Sequence, residues 1–140
     1  MSDEASTQRP PEALSPRIRD FLEAPRYASI ATHEDDGPPH QAVVWYGLAG
    51  DGILINSRAE RHWPRNLLRD PRISLAIQDW DVPNHWVGLK GGASLLHEGD
   101  DATADIMALA RRYGTDPGQY AGQRRVSFLV RVERVFEYGG

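Results

Sequence analysis

The run HQAVVWYGLAGDGILINS, residues 40 to 57, constrains the fold more than any other part of the chain. It holds two apolar-rich stretches, 40–48 and 52–57, with Gly50-Asp51-Gly52 making a tight turn between them. Such a connection closes a β-hairpin, whereas parallel neighbours need a crossover of roughly a dozen residues or more. The two strands are therefore expected to pair antiparallel, which argues against a doubly wound parallel sheet.

The same period-two signal recurs along the sequence. YASIATH (27–33) alternates as a strand does, and EDDGPP turns it towards the strand at 40–48. Residues 72–80 and 85–99 read as a strand pair across DVPN, with Gly91-Gly92 marking a bulge or a close backbone approach. The last strand, 124–138, alternates Val126, Phe128, Val130 and Val132 with polar partners. Helical signals are few. Ser15 and Pro16 read as a cap and first residue of a short helix presenting Ile18, Phe21 and Leu22, limited by Pro25. Ile106, Leu109, Ala110 and Tyr113 fall at helical spacing ahead of a stop at Gly114. Six strands with mostly short connections and a few covering helices predict a mainly β fold, an antiparallel barrel.

A length of 140 residues suits one domain. Residues 1–13 read as a disordered tail and 14–140 as the folded domain. The first residues lack the apolar core of a secretion signal, and no run reaches the ~18 apolar residues of a membrane span. With no cysteine there is no disulfide, thiolate metal site or cysteine nucleophile. These features fit a cytoplasmic protein without a membrane partner. A net charge of −4 and a pI near 5.7 argue against a nucleic-acid partner. The five histidines show no HxH or HExxH spacing, so no metal site is expected. His40 begins a strand and is a candidate proton donor, although a lone histidine is ordinarily structural or solvated.

Against this acidic background, NSRAERHWPRNLLRDPR carries Arg58, Arg61, Arg65, Arg69 and Arg72. Pro64 interrupts what is otherwise a helical stripe. It places the helix start near itself, biases Trp63 towards an extended backbone, and leaves Arg58 and Arg61 in the preceding loop. A strand end at Asn56-Ser57, a loop with guanidinium forks and a helix N-terminus together make an anion site suited to phosphate. A solvated basic helix paired with Glu60 and Asp70 is the plainer alternative.

IATHEDDGPPHQAVVWY, then ILIN, then RNLLRDPRISLAI resembles the pyridoxamine 5′-phosphate oxidase-like proteins, from about Leu14 to Tyr138. The similarity is closest to their small deazaflavin-using branch. The resemblance implies a six-stranded antiparallel split β-barrel, a homodimer, and a cofactor at the dimer interface. The cofactor is coenzyme F420 in many members of that branch and FMN in others. By the same resemblance Ser57 and Arg61 meet the phosphate, Asn66 braces the loop, and Val43, Val44 and Trp45 line the tricyclic ring. Ile55, Asn56, Arg58 and Gln78 complete the expected cofactor-binding set. Many relatives carry a lysine where this chain has Trp63, which makes Trp63 a candidate wall of the site, with Arg58 or Arg65 supplying charge.

No Ser-His-Asp or paired-carboxylate constellation stands out, as befits an enzyme whose cofactor carries the chemistry. The expectation is an oxidoreductase passing hydride between F420 and a small conjugated or heteroaromatic acceptor. The alternatives are the same fold using FMN, or a non-catalytic flavin- or tetrapyrrole-binding protein. No catalytic side chain is singled out.

Overall fold

Ser15 accepts a hydrogen bond from the Ile18 N–H (3.2 Å) and Pro16 takes the first helical position, so α1 (Pro16–Glu23) begins where the sequence predicts. The computed structural model describes residues 14–139, and the tail expected at 1–13 lies outside them. Seven strands and two further helices follow α1. They are β1 (Ala28–His33), β2 (Pro39–Val44), β3 (Gly47–Ala49), β4 (Gly52–Arg58), α2 (His62–Arg69), β5 (Arg72–Gln78), β6 (Trp86–Glu98), α3 (Gly99–Arg112) and β7 (Arg125–Tyr138). A single 3-10 turn, Pro117–Tyr120, precedes β7.

All the pairings are antiparallel, in the order β2-β1-β5-β6-β7-β4-β3. The two edge strands, β2 and β3, are joined through Trp45 and Tyr46 alone. A sheet whose opposite edges are tethered by two residues must roll up, and here it closes without a hydrogen-bonded seam. That is a split barrel.

Alternation sorts the faces as a half-buried sheet requires. Ala28, Ile30 and Thr32 of β1 point inward beside Ile73, Leu75 and Ile77 of β5, while Ser29 and Ala76 point out. Phe128, Val130 and Val132 fill the interior from β7. At Gly91 the register of β6 slips against β7, and a Cβ there would lie 1.9 Å from the Arg131 carbonyl oxygen, so only glycine fits.

Two sequence expectations are corrected. The run 40–48 is two strands, not one, which raises the count from six to seven. Tyr46 is fully buried, and its hydroxyl donates to the carbonyls of Leu22 (3.1 Å) and Ala24 (2.8 Å). Arg112 donates to the Tyr46 carbonyl (3.0 Å), and the chain crosses the seam at that point instead of continuing one strand. The other correction concerns α2, which starts at His62, with Trp63 helical and not extended. Proline is tolerated anywhere in a first turn, because its missing N–H has no intrahelical acceptor there. The bias that Pro64 places on Trp63 is overridden by burial. The indole is 5% exposed and packs 5.9 Å from the Phe128 ring, a gain of about 2 kcal/mol or more.

Candidate functional site

The end of β2, the end of β4 and the start of α2 enclose a cavity of about 470 Å³, within the range of small-molecule sites. Val43, Val44 and Trp45 form its apolar side, with Val43 68% exposed. Trp45 is held by stacking on Tyr113 (centroids 4.9 Å, planes 8° apart) and stands edge-on to Tyr120 at 6.5 Å. Asn56, Ser57 and Arg58 enter from β4, Arg61 and Trp63 from the start of α2. Eight of the eleven expected cofactor residues thus converge on one cavity.

Three expected residues stand elsewhere. Ile55 is fully buried in the barrel core. Gln78 ends β5, its amide donating to the Pro83 carbonyl (2.9 Å), and does not border the cavity. Asn66 lies behind the loop, 4% exposed, where its amide donates to Thr32 Oγ1 (3.1 Å) and Glu34 Oε1 (3.3 Å).

The structure also adds residues that the sequence reading missed. Arg125 arrives from β7 because the β4–β7 register sets it opposite Arg58. Tyr120, Ile106, Ala42 and His62 complete the lining, together with His40, the candidate proton donor already named at a strand start.

Charge is the dominant property of this wall. Arg58 pairs with Glu60 at 3.0 Å. Arg61 has no side-chain hydrogen bond or ion pair among the described residues. Arg125 is 8% exposed, and all its side-chain partners are neutral: Nε donates to Asn56 Oδ1 (3.0 Å), Nη1 donates to Gln123 Oε1 (2.7 Å), and the guanidinium lies 5.3 Å above the Tyr120 ring. Burial pulls the pKa of Arg125 down, and the positive charges of Arg58 and Arg61 pull the same way. A buried cation ordinarily has an anionic partner. No side chain caps α2, so the N–H groups of its first turn add to the positive potential.

Behind Arg125 runs a polar chain, buried at Asn56 and Ser127 and reaching partly exposed Asp105 and His97. Asn56 Nδ2 donates to Ser127 Oγ (2.8 Å) and to the Ala102 carbonyl (2.9 Å), Ser127 donates to Asp105 Oδ2 (2.7 Å), and that oxygen meets His97 Nδ1 at 2.6 Å. The chain fixes the Asn56 amide so that its oxygen faces Arg125. The hydrogen bond to Asp105 raises the pKa of His97.

The profile of the pyridoxamine 5′-phosphate oxidase family matches residues 14–139. No curated protein matches the chain in sequence. Among solved structures, an F420 reductase superposes with a TM-score of 0.73 at 24% identity, over 84% of this chain and 94% of that one. A conserved hypothetical protein from Mycobacterium tuberculosis gives 0.75 at 25% identity, over 94% and 88%. A haem-binding protein from Mycobacterium smegmatis gives 0.61 at 29% identity, over 84% of this chain and 50% of that one. The rolled antiparallel sheet, the cavity between its edge strand and α2, and the family profile across the whole described chain agree: this chain belongs to the pyridoxamine 5′-phosphate oxidase family.

Proposed function

We propose that the cavity holds the phosphate and ring system of coenzyme F420, with FMN as the alternative. On this reading the protein is an oxidoreductase that passes hydride between that cofactor and a small conjugated or heteroaromatic acceptor. The observation carrying the reading is Arg125, a buried cation without a carboxylate partner that shares a wall with Arg58 and Arg61. A phosphate completes that cluster. Arg61 is free to make a bidentate contact, Ser57 offers a hydroxyl, and the α2 N-terminus adds its dipole. Val43, Val44 and Trp45 then face a planar ring, with Trp45 kept in orientation by Tyr113. F420 is placed ahead of FMN on the sequence similarity to the deazaflavin-using branch.

The bound cofactor would supply the hydride chemistry, while the protein binds, orients and keeps water from the reacting face. A second reading, a non-catalytic tetrapyrrole site, is supported by His40 and His62 on the cavity wall and by the likeness to a haem-binding protein. In that reading the arginines face the carboxylates of the tetrapyrrole.

Purification from a host that makes F420, FMN and haem, followed by mass spectrometry of the released small molecule, tests the proposal. F420 at near one per chain is expected. Recovery of haem alone, or of no cofactor after supplementation with each, contradicts it.

A further inference from the structure

We propose that Glu34, His40 and His62 form a divalent-metal site of the zinc type at the mouth of the cavity. The inference goes with the flavin or deazaflavin reading of the cavity, because a tetrapyrrole would engage the same two histidines.

One ligand atom from each residue lies within 4.8 Å of the other two. His40 Nδ1 and Glu34 Oε1 are already 3.3 Å apart. Two ligands on a tetrahedral zinc ion at bond lengths of about 2.0–2.1 Å stand about 3.3 Å from each other, so this pair has the required span. The His62 ring stands edge-on to the His40 ring, centroids 5.0 Å apart. His62 is exposed at the first residue of α2, so a turn of its side chain can bring the third nitrogen to bonding distance without moving the backbone.

The carboxylate is positioned by a hydrogen-bonding neighbour, as metal-ligating carboxylates usually are. Asn66 Nδ2 donates to Glu34 Oε1, and the same amide nitrogen donates to Thr32 Oγ1 in the barrel wall. Buried Asn66 thus positions Glu34. Two imidazoles and one carboxylate are a donor set that suits zinc and its borderline neighbours over magnesium or calcium. Three protein ligands leave a fourth position for water or an oxygen or nitrogen of a bound molecule, and His40 and His62 both border the cavity.

No motif announces the site, because its ligands come from the β1–β2 loop, the start of β2 and the start of α2. Arg58 and Arg61 on the same wall oppose a cation there, and the ion pair between Arg58 and Glu60 offsets part of that opposition.

Calorimetric titration of the untagged full chain with zinc chloride tests the proposal, beside Glu34→Gln, His40→Ala, His62→Ala and His85→Ala. We expect one saturable site per chain and a loss of affinity of about tenfold or more in each of the first three variants. Because His62 is exposed, His62→Ala keeps its fold and decides the matter even if Glu34→Gln or His40→Ala unfolds. His85 pairs with Glu137 and belongs to neither the cluster nor the cavity lining, so its loss should leave the affinity unchanged. The absence of saturable binding, an unchanged affinity in His62→Ala, or a loss in His85→Ala would overturn the assignment.

Discussion

In the proposed anion site, Arg61 and Arg125 play different parts. Arg61 is exposed and uncommitted, so it can close on a ligand. Arg125 is fixed in place by Asn56 and Gln123 before any ligand arrives. Arg61→Ala should therefore weaken binding of the phosphorylated cofactor by about 1.5–3 kcal/mol, the range for a charge-assisted hydrogen bond, with the melting temperature of the cofactor-free protein barely moved. A fluorescence titration with F420 or FMN reads the first quantity, and an unchanged affinity would return Arg61 to the solvated surface. Trp63 behaves differently. Although it touches the cavity, its indole belongs to the core cluster against Phe128. Trp63→Lys should cost about 3 kcal/mol or more of stability, because it removes the packing and places an amine among apolar groups. A thermal melt checks this, and a melting temperature equal to that of the wild type would show that the indole bears no packing role.

Among the elements, the turn from α2 into β5 has a built-in acid sensitivity. Asp70 accepts from Arg72 Nε (3.0 Å), Arg72 Nη2 (2.7 Å) and the Arg72 backbone N–H (3.2 Å). The side-chain hydrogen bonds from Arg72 lower its pKa from the ordinary 3.8 to about 2. A depressed carboxyl pKa contributes stability that is present above pH 3.8 and is lost as the pH falls through about 2. Wild type should thus exceed Asp70→Asn in melting temperature at pH 5, and the gap should narrow towards pH 2. The gain is modest because Arg72 is exposed. A gap that widens on acidification would contradict the assignment.

The elements also show what a sequence can disclose. The β3–β4 hairpin and α1 were readable because a turn, a cap and an alternating pattern are local. The bulge at Gly91 was readable from two adjacent glycines. The break between β2 and β3 was not, since it depends on where the rolled sheet meets itself and on the buried contacts of Tyr46. The start of α2 was misplaced because a local proline rule yielded to the long-range burial of Trp63. Arg125 escaped notice for the same kind of reason. Only the register of β4 against β7, strands some seventy residues apart, brings it to Arg58.

For the molecule as a whole, the outer face of the sheet asks for a partner. Ser29, Ala31, Ser74, Ala76 and Gly88 form a shallow floor of small residues there, rimmed by Trp86 and Phe136. Tyr138, 66% exposed, stands beside Trp86 with ring centroids 6.2 Å apart. Such a face is unusual on a small monomer, and we propose that a two-fold homodimer that includes residues near 78–88 covers it. Light scattering at micromolar concentration should report twice the chain mass of 15.7 kDa. A value at 15.7 kDa would exclude the dimer.

On the proposed reading, an anionic cofactor completes the cluster of Arg58, Arg61 and Arg125 at the head of α2. A crystal structure of the protein saturated with F420, or with FMN if that is what it retains, tests this most directly. The phosphate is expected within hydrogen-bonding distance of Arg61 and the α2 N-terminus, and the ring against Val43, Val44 and Trp45. A cofactor seated away from that cavity, with the three arginines unengaged, would contradict it.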